Sequence, residues 1–209
     1  MTKHTGTQNQ THREVGQRRI AAGDARTILM RRRYEAPIAD VWAACTDPDR
    51  LSRFFLRPTG DLREGGSFSL EGNASGDIVR CDPPHRLSLT WVYADRPVDE
   101  VELRLSPTDD GATVFELEHA SILRMVTLDD GREVDVVLND PISGIFGLGT
   151  GWELSLITLD LYLRGQMPDD PAAFMESPDL PAIIDECGRG WAAAVAVAGS
   201  AAGDLTASR

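Results

Sequence analysis

The chain has 209 residues, 42% of them hydrophobic and 26% charged, with a formal net charge of -12. That size and composition suit one globular domain with ragged ends and one extension, with enough apolar residues for a real core. The acidic balance argues against nucleic acid as a partner, because phosphate contacts need clustered Lys and Arg.

The charge is unevenly spread. Up to Arg26 there are five basic residues (Lys3, Arg13, Arg18, Arg19, Arg26) against Glu14 and Asp24, so the remainder is more acidic still. This head is polar, rich in Thr and Gln, and too poor in large apolar side chains to offset its ordering entropy. Residues 1–24 are therefore expected to be a disordered basic arm. The start has no apolar signal-peptide run, and no later stretch approaches a membrane span, since Trp191 to Ala198 is short and mostly alanine. A cytoplasmic location with no membrane partner is the expectation.

From Thr27 to Tyr34 the sequence TILMRRRY places Ile28, Met30, Arg32 and Tyr34 on one face of a first strand. Pro37 fits the first position of a helix through Val41 and Trp42, and Asp47-Pro48 caps a short second helix ending near Phe54 and Phe55. Five strand-like runs follow between turn signals: GSFSL, GDIVRC, RLSLTWVY, VELRL and TVFELEH. Period-two alternation puts Phe68/Leu70, Leu87/Leu89/Trp91/Tyr93, Val101/Leu103/Leu105 and Phe115/Leu117/His119 on common faces. Short connections make the arrangement an antiparallel meander in an α+β fold.

The pattern weakens between Ser121 and Gly151, where GREVDVVL is one further extended piece and the glycines at 144, 147, 149 and 151 suggest a hinge or tight loop. Thr150-Gly-Trp-Glu153 reads as a capping box opening a helix that carries Trp152, Leu156, Leu159 and Leu163 on one stripe. Gly165 is its natural C-cap and Pro168 prevents resumption. After a Pro/Asp-rich linker, Ser177-Pro178-Asp179 opens another helix, with Leu180, Ile183, Ile184, Cys187, Trp191 and Val195 at helical spacing. Such a stripe must be buried, either in cis on the convex side of the sheet or across a homodimer interface.

The order of strand, two short helices, meander and long helix resembles the START/Bet v 1-like superfamily, also called SRPBCC. More narrowly, Arg33-Tyr-Glu-Ala-Pro37-Ile-Ala-Asp-Val-Trp42 followed by Thr46-Asp-Pro-Asp49 is similar to the opening of the family named for the activator of heat-shock-protein-90 ATPase. Gly65-Gly-Ser-Phe68, Cys81-Asp-Pro-Pro-His-Arg-Leu87 with Thr90-Trp91, and Gly149-Thr-Gly-Trp152 agree with it. The resemblance covers about residues 25 to 165 and implies a helix-grip fold, a curved antiparallel sheet around a long helix. The expected domains are the arm 1–24, the helix-grip unit 25–166, a linker and helical extension 167–199, and a flexible tail 200–209.

In that fold the concave face and long helix enclose a mostly apolar cavity. Strand parity nominates Phe68, Leu70, Leu89, Trp91, Tyr93, Leu103, Phe115, Leu117 and His119 as lining, with Trp152, Leu156 and Leu159 opposite. Trp91, Tyr93 and His119 combine apolar surface with a polar handle. His119 is the one candidate for a general base, but neighbouring Glu118 points to the other side of the strand, so no His/carboxylate pair is implied. Cys45, Cys81 and Cys187 are far apart with no metal-binding spacing, and Gly147-Leu-Gly-Thr-Gly151 lacks the context of a phosphate loop. No metal and no cofactor are expected. The leading expectation is a non-enzymatic binder or carrier of a small hydrophobic or aromatic molecule. The alternatives are a cyclase/aromatase- or hydrolase-type enzyme or self-resistance protein of natural-product metabolism, and a co-chaperone stimulating a heat-shock-protein-90 ATPase.

Overall fold

The computed structural model of the chain describes residues 11–135, 137 and 144–206, with side chains as far as Gly199. Eight strands form one antiparallel sheet in the order β1-β2-β8-β7-β6-β5-β4-β3. In chain order these are β1 (His12–Ile20), β2 (Gly23–Tyr34), β3 (Pro58–Gly60), β4 (Ser67–Leu70), β5 (Ala74–Asp82), β6 (Arg86–Tyr93), β7 (Asp99–Pro107) and β8 (Thr113–Ile122). The helices α1 (Ile38–Thr46) and α2 (Pro48–Leu51) lie between β2 and β3, and a separate hairpin of β9 (Met125–Thr127) and β10 (Glu133–Asp135) follows β8. Three more helices complete the fold: α3 (Ile145–Leu163), α4 (Ala172–Met175) and α5 (Leu180–Thr206). This is the expected α+β helix-grip architecture.

The two faces of the sheet follow from the alternation. On β8, Phe115, Leu117 and His119 stand opposite Leu105, Leu103 and Val101 of β7 and Arg32, Met30 and Ile28 of β2, forming one concave face. The intervening residues form a charged outer face in which Arg18 binds Glu118 at 2.7 Å and Glu100 at 2.9 Å, while Arg31 binds Glu116 at 2.6 Å. Cross-strand pairs of this kind fix register, since a slip by one residue would bury the charges. The helix punctuation is local: Asp47 accepts from the amides of Asp49 and Arg50 at 2.9 and 3.0 Å. Gly165, at φ 65°, turns the chain out of α3. Pro37 sits one place earlier than expected, as the N-cap residue rather than inside α1.

The chain departs from the sequence reading at both ends. Residues 12–24 are not a disordered arm: β1 pairs with β2 along its whole length, from His12↔Arg31 to Ile20↔Gly23. The polar head hides a strand because its inward residues, Arg13 and Val15, meet helices rather than a second sheet, so polarity on both faces conceals the period. Residues 1–10 lie outside the described residues. At the other end the tail expected from residue 200 is helical in its backbone as far as Thr206.

The long helix begins at Ile145, with Gly144 as its N-cap residue, so Thr150 and Glu153 lie inside it and form no capping box. The expected glycine hinge is the helix's own first turns. The reason is tertiary. A Cβ on Gly149 would overlap the indole of Trp191, which is 0% exposed and lies across α3. Glu153, 2% exposed, accepts from Nε of Arg13 at 2.8 Å and makes a second, shorter ion-pair contact with the same guanidinium. Gly190 gives that guanidinium room against α5.

The extension packs against α3 and β1 of its own chain, on the concave side rather than on the convex outer face. Leu180, Cys187 and Trp191 are buried, whereas Ile184, assigned to the same stripe, is 39% exposed. Gly190 adapts the helix face to Arg13, whereas nothing packs beside Gly188. Among the described residues no helix is long and apolar enough to cross a membrane.

The Gly149–Trp191 contact makes a coupled pair. Gly149→Ala is expected to destabilise the protein by about 1–3 kcal/mol through overpacking, and Trp191→Ala by about 3–5 kcal/mol through the cavity it leaves. In the double variant the Gly149→Ala penalty should largely disappear, giving non-additivity measurable by urea denaturation.

Candidate functional site

Sheet curvature and the placement of α3 leave an apolar cavity of about 170 Å³ between the concave face, α3 and the α1–α2 corner. Ten of the twelve residues nominated from the sequence line it: Phe68, Leu70, Leu89, Trp91, Leu103, Phe115, Leu117, Trp152, Leu156 and Leu159. The strands place the first seven by parity and α3 presents the last three, held by the Tyr34 hydroxyl, which donates to the Leu156 carbonyl at 3.0 Å. Tyr34 is wholly buried, and burial raises its phenol well above the ordinary value, so it stays a proton donor.

Two nominated residues fall elsewhere. Tyr93 is 46% exposed and stacks under Arg96, with the guanidinium carbon 5.5 Å from its ring centroid. It ends β6 just before the turn in which Ala94 takes φ 51°, and there the inward parity no longer points at the core. His119 is 1% exposed and sits behind the cavity wall rather than in it.

The corner supplies lining that strand parity could not reveal, Cys45, Leu51, Phe54 and Phe55, and the loop after β3 adds Leu62. Phe54 stacks on Tyr162 at 5.3 Å between centroids and Phe55 on Trp152 at 6.1 Å. Two adjacent aromatics after a capped helical turn are a usable sequence signal, because such a pair needs two separate apolar partners. Leu62, at 37% exposure, is an exposed lining residue, which puts it at the rim.

The geometry around His119 is more specific than the sequence implied. Its Nε2 lies 3.0 Å from Asp99 Oδ2 on β7, and its Nδ1 lies 2.9 Å from the indole nitrogen of Trp152 on α3. An indole N–H can only donate, so Nδ1 accepts, Nε2 carries the hydrogen and donates to Asp99, and the ring is the neutral Nε2–H tautomer. Asp99 is fixed in turn by the Ser121 hydroxyl at 2.8 Å and the Ile122 amide at 3.1 Å. A carboxylate partner thus exists, from the neighbouring strand rather than from Glu118. Trp152 is held at its edge by His119 and packs with Trp91 at 5.0 Å between centroids.

Inside the cavity the polar lining groups are already bonded to helix carbonyls. Thr46 Oγ1 donates to Trp42 at 2.8 Å, and Ser155 Oγ donates to Gly151 at 3.1 Å. Cys45 is only half-buried by exposure, but its thiol lies against apolar lining, and desolvation pushes it from the ordinary 9.0 to about 12. Cys187, on the buried face of α5, is pushed to about 12 as well, first by burial and then by the nearby Glu153 charge. Cys81 is raised by the same kind of desolvation. No activated thiol nucleophile results.

These thiols give a test with a defined sign. Because burial raises their folded-state values, their contribution to stability is complete below pH 9.0 and declines as pH rises towards about 12. Unfolding midpoints should fall over that window, and the fall should be smaller in Cys45→Ala. At neutral pH, iodoacetamide with mass spectrometry should leave Cys45 and Cys187 unmodified in the native protein.

The fold and cavity can now be set beside known proteins. CalU16 from Micromonospora echinospora is 44% identical in a crystal structure, with a TM-score of 0.68, covering 89% of this chain and 98% of that one. Its solution structure gives 43% identity and a TM-score of 0.72 over 92% of this chain and 99% of that one. DynU16, described as a protein in the dynemicin biosynthetic locus, shares the fold at 20% identity and a TM-score of 0.54, over 68% of this chain and 49% of that one. No curated protein matches the sequence. The family model described as Activator of Hsp90 ATPase homolog 1-like protein matches residues 35–163, from the end of β2 to the end of α3, and the chain belongs to that family.

Proposed function

We propose that the protein binds a small apolar molecule, of one or two aromatic rings, in the cavity between Trp91 and the α1–α2 corner, as a binder or carrier rather than an enzyme. The observation that carries this reading is the character of the lining: aromatic and aliphatic walls whose few hydroxyls are bonded to helix carbonyls. A ligand there gains hydrophobic and stacking contacts and meets few hydrogen-bonding groups. The size supports the same class, since an engineered apolar cavity of about 150 Å³ accepts benzene.

The catalytic alternative is less well supported. A general base has to reach the proton it removes, whereas both ring nitrogens of His119 already have partners and the ring is 1% exposed. Tyr93 is on the surface. The co-chaperone reading follows the family's name.

Isothermal titration with toluene, indole and naphthalene should show saturable one-to-one binding and a raised melting temperature. Leu117→Phe, which fills the cavity from β8, should keep the fold, as judged by circular dichroism, while weakening naphthalene binding at least tenfold. If none of the three compounds saturates, or if Leu117→Phe leaves naphthalene affinity unchanged, the cavity is not the binding site.

A further inference from the structure

Trp152 forms part of the cavity wall, and its indole orientation is not set by packing alone. The ring lies between Phe55 and Trp91 at 6.1 and 5.0 Å between centroids, and its N–H is directed to Nδ1 of His119. His119 reaches no cavity surface, and behind it Asp99 of β7 is tied to β8 through Ser121 and Ile122. A continuous chain of hydrogen bonds therefore runs from the end of β8 and the start of β7 through His119 to the cavity wall.

From this chain we infer that His119 is a positioning residue of the ligand site, which holds Trp152 in its binding orientation only while the imidazole is neutral. The inference rests on the cavity being a ligand site. Protonation of Nδ1 would turn the acceptor into a donor and set it against the indole N–H, which cannot accept. The same protonation gains an ion pair with Asp99, so the imidazolium is supported on one side while Trp152 is released on the other. Affinity is thereby tied to the proton state of a residue that never touches the ligand.

The other charged groups on the concave face around His119 are largely paired with one another. Arg26 of β2 binds Asp135 of β10 at 2.7 Å, and Arg13 of β1 binds Glu153 of α3 at 2.8 Å. Arg32 of β2 donates to Thr11 Oγ1 at 3.2 Å, and Ile28 and Val101 flank His119 directly. Asp99 is the charged side chain that contacts the imidazole.

The test uses the full chain labelled with nitrogen-15 and naphthalene, which has no titratable group, as the probe. The Trp152 indole resonance, assigned by its loss in Trp152→Phe, should shift on acidification in step with the His119 imidazole. Naphthalene affinity should fall roughly fivefold over the same titration, the size expected for one neutral hydrogen bond. His119→Phe should show the shifted resonance and the weaker binding at every pH. His119→Gln, whose amide can accept from Trp152 and donate to Asp99, should restore both and make them independent of that titration.

The inference is overturned if the indole resonance stays still while His119 titrates. An affinity unchanged in His119→Phe would overturn it too. Naphthalene that binds no form at any pH would instead refute the binder reading, with the ligand-free indole spectrum still deciding whether His119 controls Trp152.

Discussion

A carboxylate in the middle of the long helix has to be met by a cation, and the fold is organised around that demand. Glu153 is 2% exposed, and an unpaired charge at such depth would destabilise the helix by several kcal/mol. Arg13 meets it, and Arg13 reaches α3 only because β1 is zipped to β2 as the edge strand of the sheet. The same guanidinium lies against Gly190, so α5 closes over the pair, and the next residue, Trp191, locks onto Gly149, about one turn before Glu153 on α3. First strand, long helix and last helix thus form one unit. The position of α3, which forms one wall of the cavity, depends on all three.

The cavity is the second consequence of that placement. With α3 clamped at its outer side and tied to the sheet by Tyr34, the helix cannot settle further onto the concave face. Large side chains from β4, β6 and β8 fill most of the gap and leave about 170 Å³. By the relation between cavity volume and lost stability, empty apolar space of that size costs on the order of 4 kcal/mol. Filling such a space would recover dispersion contacts that the walls otherwise lack.

The polar groups near the cavity are arranged to keep its interior apolar. Hydroxyls of Thr46 and Ser155 bond back to their own helices, the indole of Trp152 is engaged by His119, and the Cys45 thiol stays protonated. The outer face shows the opposite solution to the same problem. There the charges of Arg18, Glu100, Glu118, Arg31 and Glu116 pair across strands and keep that side of the sheet wet. The family is one of many built on this architecture, and fold alone does not select among binder, enzyme and co-chaperone.

By itself the sequence determined the class of fold and most of the cavity wall, because period-two alternation in β6, β7 and β8 is a local property that survives into the structure. Phe68, Leu103, Phe115 and Leu117 could be named from parity, and Asp47 and Gly165 from turn chemistry. What only the tertiary structure decided were the features that depend on residues distant in sequence. Strand β1 is a strand because β2 offers it an edge, Gly149 lies within the long helix where Trp191 packs on it, and Glu153 is a buried ion-pair partner rather than a cap. His119 acquired its carboxylate from Asp99, twenty residues away, and its second partner from Trp152 on α3. Local pattern reports which face a side chain occupies, whereas the partner it meets there is set by curvature and by the packing of helices, and neither is encoded in spacing along the chain.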